Sequence, residues 1–123
     1  MATTNKLKNA VKTVLEGAVT GSIFYETAPE DAKYPYYVFE IRRLSGDGPV
    51  DNYILEINAW DKHHTSARIE AGMDKIDALD GFKEIFNEDS FAFLIYKGAR
   101  SGTDDEDKSI KRIREQMELK VVG

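Results

Sequence analysis

The chain has 123 residues, 22 acidic against 17 basic, and a formal charge of −5, a length that supports one domain over residues 1–123 with one modest core. The negative balance repels a phosphate backbone unless cations are gathered locally. The absence of cysteine excludes a disulfide framework, a thiolate zinc site and an iron–sulfur cluster.

In chain order, MATTNKLKNAVKTVLEG has no uninterrupted apolar stretch of the signal-peptide type, and no apolar run anywhere approaches a membrane span of about 20 residues. A soluble protein made inside a cell is expected, with no membrane partner. Leu7, Ala10, Val11, Val14, Leu15 and Ala18 recur at steps of three and four, which predicts a helix over about 4–19 with Thr3 or Thr4 as its N-cap. Gly17 and Gly21 mark its end, and SIFYET reads as a short strand before the loop APEDAK. KYPYYVFEIRRL then predicts a strand from Tyr36 to Leu44, with Pro35 at the start, where a missing N–H is tolerated.

SGDGPVDN supplies turn formers, and YILEINAW follows as a third strand with Tyr53, Leu55, Ile57 and Ala59 on one face. Asp61 is placed to cap a second helix beginning at Lys62 or His63, carried by Ile69, Gly72, Met73, Ile76 and Leu79 and ending near Asp80 and Gly81. FKEIFNEDS reads as a loose helical turn or irregular connector. FAFLIYKG is a fourth strand, with Phe91, Phe93 and Ile95 on one face and Leu94 and Tyr96 on the other. After the polar loop ARSGTDDEDKS, IKRIREQMELKVV makes a fifth, in which Ile113, Met117, Leu119 and Val121 alternate with Arg112, Arg114, Glu118 and Lys120.

The expected fold is therefore α+β, in the order α-β-β-β-α-β-β: a mainly antiparallel five-stranded sheet with two helices packed on one face. Two helices cover one face only. Tyr36, Val38, Leu44, Leu94 and Tyr96 then fall on the bare face and form a candidate subunit interface, because monomers seldom leave such a patch exposed.

No constellation of catalytic residues emerges, and no metal or cofactor is expected. His63 and His64 are the only histidines; adjacent helical residues point about 100° apart, and no third ligand sits at a useful spacing. Asp104, Asp105, Glu106 and Asp107 lack the alternation, glycine and distant glutamate of a calcium loop. SGDGP opens no helix and carries no lysine–hydroxyl pair, so it is not a phosphate loop. Ser66, Ser90 and Ser101 have no nucleophile-elbow context. The basic stretch KSIKRIRE has no interleaved aromatics and adjoins four acids, so Arg112 and Arg114 are expected in ion pairs within or between subunits and not on nucleic acid.

Taken whole, the chain resembles the tail completion, or tail terminator, proteins of long-tailed bacteriophages and prophages. The resemblance lies in the order of elements and in two local stretches, Tyr34-Pro35-Tyr36 with its strand and Asn58-Ala59-Trp60-Asp61 running towards a helix. It implies a non-enzymatic virion protein, assembled in the host cytoplasm, that forms a ring, typically of six subunits, on the finished tail tube. Such a ring offers a surface for head–tail joining and contacts the tail tube protein and the head–tail connector proteins. It binds no specific nucleic acid, although DNA passes through the opening. In that setting Asp104 to Asp107 either dock on the tube or line the channel. The rival readings are a head-completion or neck adaptor protein and, from another class, a small ligand-binding domain or enzyme with a pocket between helices and sheet.

Overall fold

A computed structural model describes residues 4–47, 50–86, 91–103 and 109–122. The elements are α1 (Thr4–Ala18), β1 (Ser22–Tyr25), β2 (Tyr36–Asp47), β3 (Val50–Lys62), α2 (Ala67–Asp77), β4 (Phe82–Phe86), β5 (Phe91–Thr103) and β6 (Ile110–Val122). The strands make one sheet in the order β1-β2-β3-β6-β5-β4. β1 runs parallel to β2, and every other pairing is antiparallel.

The two periodicities read from the sequence meet in one core. From the helices come Leu7, Val11, Leu15, Ile69, Met73 and Ile76; from alternate strand positions come Tyr37, Phe39, Leu55, Ile57, Phe93, Ile95, Met117 and Leu119, all nearly or fully buried. Burying side chains of this size contributes roughly 1.5–3 kcal/mol each, which fixes the register of every long strand, since a slip by one residue would turn this set outward.

The expected helices and five strands are all present in the expected order, and three features differ. Phe82–Phe86, expected as an irregular connector, is a sixth strand, β4, paired with β5 at the sheet edge. β3 continues through Asp61 to Lys62, and α2 begins only at Ala67. Asp61 is therefore no N-cap: it is fully buried and takes a salt bridge from Arg68. His63 and His64 lie in the bend before α2, not in its first turn. A buried carboxylate that a guanidinium can reach is better satisfied by that fork than by a helix amide, so the strand runs on past the position where a cap was expected.

Two bulges shape the sheet. One, between Arg43 and Ser45, sets Leu44 aside from the pairing, and Leu44 is 60% exposed. The other, between Tyr96 and Ala99, changes which face the end of β5 presents. Tyr96 and Ala99 both lie on the outer face opposite Glu118 and Gln116, so Arg100 follows on the helix side opposite Glu115. The bulge requires glycine: a Cβ on Gly98 would stand 2.1 Å from the Gln116 carbonyl oxygen.

Candidate assembly surfaces

The sheet face away from the helices is partly covered by its own side chains. Tyr36 stacks on Trp60 with ring centres 5.3 Å apart and planes at 22°, Tyr34 and Phe24 lie 5.4 and 6.3 Å from Tyr36, and the Arg112 guanidinium sits 4.9 Å from the centre of the Trp60 ring. These partners follow from register, since Tyr36 pairs with Trp60 and Trp60 with Arg112. Val38, between Phe24 and Asn58 in the pairing, is buried on this outer side. Aromatic stacking and a cation over an indole each stabilise by about 0.5–1.5 kcal/mol, so the stack is a pre-ordered surface.

The five apolar residues of the candidate interface are not brought together. Tyr36 and Val38 stand on β2, Leu94 and Tyr96 on β5, and Leu44 at the bulge towards the opposite end of β2. Between the two groups runs a polar strip on β3 and β6. Arg114 pairs with Glu56 at 2.8 Å, Gln116 donates to Glu56 at 3.2 Å, and Arg112 donates to Asn58 Oδ1 at 3.1 Å. Burial alone pushes Glu56 up, but the bonds from Gln116 and the nearby Arg114 hold it below the ordinary glutamate value. Arg114 thus ion-pairs with Glu56 within the chain, whereas Arg112 meets an amide oxygen and an indole ring and no carboxylate among the described residues. Asp104, Asp105, Glu106 and Asp107 lie outside the described residues.

On the helix side, β5, β6 and α2 share a charged cluster that the sequence reading did not find. Arg100 Nε donates to Glu115 Oε1 at 2.8 Å, Nη1 donates to Glu70 and Asp74 at 3.1 and 3.0 Å, and Nη2 donates to Asp77. Glu115 is 1% exposed. Desolvation, together with its hydrogen bond to Asp77, raises its pKa to about 7 against the lowering effect of Arg100. Asp77 Oδ1 and Glu115 Oε2 are both buried without a hydrogen-bond donor, a setting that favours the neutral form of Glu115. The available signal was Glu115 itself, a charge on the buried parity of β6 between Ile113 and Met117.

A cavity of about 450 Å³ opens between α2 and the turn before β2, with Lys33, Tyr34, Tyr37, Arg68, Gly72 and Lys75 among its walls. Arg68 reaches Asp61 through Nε at 2.8 Å and Nη2 at 2.5 Å. Burial, with the Asp61 charge second, pushes the Tyr37 phenol above its ordinary value. The space depends on Gly72, where a Cβ would stand 1.9 Å from the Tyr37 hydroxyl. The rings of His63 and His64 are 4.2 Å apart, and among the described residues no group of three His, Cys, Asp or Glu side chains is placed to hold a metal ion.

No family profile and no curated protein sequence matches the chain. Among solved structures, a chain of the "Virion of native gene transfer agent (GTA) particle" superposes with a TM-score of 0.63 at 16% identity, over 93% of this chain and 86% of that one. This chain shares its fold with a virion component.

Proposed function

We propose that this chain is a structural virion protein of a phage or prophage that caps the completed tail tube as an oligomeric ring and offers the surface for head–tail joining. The observation that carries the reading is the fold shared with a virion chain over nearly the whole length. The resemblance to tail completion proteins in element order and in the Tyr34-Pro35-Tyr36 and Asn58–Asp61 stretches supports the finer role. The role is mechanical, not catalytic. A sheet with helices on one side only and an ordered aromatic stack on the other suits a subunit whose second face meets its neighbours, because rigid aromatic side chains make good interface centres at low entropic cost. The partners on this reading are further copies of the chain, the tail tube protein and the head–tail connector, and the place of work is the tail–head junction.

The test is deletion of the gene from the producing element, followed by electron microscopy of the particles. Tails of irregular length or with unsealed ends support capping. Tails of normal length lacking heads would instead assign the chain to the neck as a joining or head-completion factor, and unchanged particles would refute both.

A further inference from the structure

The sheet ends in a step on each flank, and the two steps are complementary. Cross-strand partners define its rows: Ser22, Tyr36, Trp60, Arg112 and Thr103 form one, Phe24, Val38, Asn58, Arg114 and Ser101 another, and Tyr25, Phe39, Ile57, Glu115 and Arg100 a third. In these rows β1 adds a short strand outside β2, while among the described residues no strand lies outside β5. At the other end of the sheet the arrangement is reversed. The rows of Arg43 to Asp47 run through β3 and β6 to Ile95 and Ala92, where β4 lies outside β5 and no described strand lies outside β2. The gap on β5 has a defined start. The Ile95 carbonyl accepts from the Gly81 N–H and the Lys97 N–H donates to Asp80 at 2.8 Å; beyond them Ala99, Ser101 and Gly102 are exposed. An open strand edge of this kind is a template for a further strand.

We propose that copies of this chain join edge to edge, β1 of one copy pairing with the open Ala99–Thr103 edge of β5 in the next. The proposal rests on the ring reading and deepens it by naming the contact. Copies on one end of a tube all point the same way, and β5 runs antiparallel to β1, so the new pair is antiparallel. β4 of the second copy then fills the gap along β2 of the first. The seam is one strand wide, with β1 in one half and β4 in the other. Because each flank meets the opposite flank, the contact is heterologous and closes into a ring when the rotation allows. The bulge between Arg43 and Ser45 weakens the ladder in the β4 half, so the β1 half carries the join. Side chains on both faces suit it. Phe24, the end of the aromatic stack, shares its row with Ser101, whose small side chain leaves room for the ring. On the helix side Lys8 lies 4.9 Å from the centre of the Tyr25 ring, in the row of Arg100. There Glu70, Asp74, Asp77 and Glu115 outnumber the one guanidinium, so the join brings a cation towards excess carboxylates.

The chain has no cysteine, which makes cross-linking a clean test. Ser22 and Ser101 are both exposed, and Ser→Cys is close to isosteric. Across the proposed seam the two positions are diagonal neighbours, about 7–8 Å apart. Within one copy they are separated by four strand spacings of about 4.8 Å, beyond the reach of a short bismaleimide. Ser22→Cys/Ser101→Cys is introduced into the encoding element, and purified particles are treated with that reagent. A ladder of covalent multimers is expected from the double variant. Particles carrying a mixture of the two single variants should give dimers at most, and either single variant alone should give none. Particles that hold the chain but yield no ladder would overturn edge joining and leave the ring reading standing. Dimers from one single variant alone would show like flanks meeting and would also overturn it. Particles without the chain would overturn the ring reading and this contact with it.

Discussion

Glu115 is the residue whose surroundings make the sharpest prediction. Its folded-state pKa of about 7 lies above that of an exposed glutamate, so the folded chain keeps a proton that the unfolded chain has already released. Stability from this group is therefore full below the ordinary carboxylate range and declines as pH rises through about 7. Thermal unfolding between pH 4.5 and 8 should show that fall. Glu115→Gln should flatten it, because the amide keeps an oxygen for Arg100 and supplies a donor where Asp77 Oδ1 has none; an unchanged slope would contradict a raised Glu115 pKa. Arg100→Ala, by contrast, strands the carboxylates it serves and should cost about 3 kcal/mol in urea unfolding. Loss within the error of a surface substitution would show that the cluster is solvated in solution.

At the scale of elements, the bulge in β5 turns Arg100 inward. Gly98→Ala should cost about 3 kcal/mol and loosen the Arg100 cluster, since its Cβ would meet backbone, which cannot swing aside as a side chain can. Hydrogen exchange along β5 and β6 would report it, and native protection in the variant would contradict the account. The bend before α2 is expected to be tolerant. His63→Gln/His64→Gln should change stability by no more than about 0.5 kcal/mol, and a large loss reversed by zinc would overturn that reading. These same places mark where the sequence stopped being legible. The core parities of β2, β3 and β6 were readable because alternation is a local property of the chain. The inward turn of Arg100 was not, because a bulge reverses parity and Gly98 announces it only through a neighbouring strand. β4 was missed because FKEIF spaces its apolar residues three and four apart, as a helical turn does. Asp61 has the pattern of a cap in sequence because its partner, Arg68, lies seven residues on, and only the fold brings the two together.

At the scale of the whole molecule, the sheet divides the labour of the protein. One face spends its apolar residues on two helices, and the other holds the Tyr36–Trp60–Arg112 stack, a polar strip, and Leu94 and Tyr96 beyond it. The apolar groups of that second face are separate islands and not one patch, which favours association strengthened by a template over tight association of free copies. Trp60→Ala should accordingly reduce association of concentrated protein while leaving the melting temperature within a few degrees; unaltered sedimentation would remove the stack from the interface. On the proposed function, copies of this chain sit together at the head-proximal end of a tail tube, and cryo-electron microscopy of intact particles from the encoding element would show them there or not. The account predicts a single closed ring of this fold on the last layer of tube, with the aromatic face turned towards neighbouring copies. Density for this fold at the portal or the distal tip, or particles that lack the chain altogether, would contradict it.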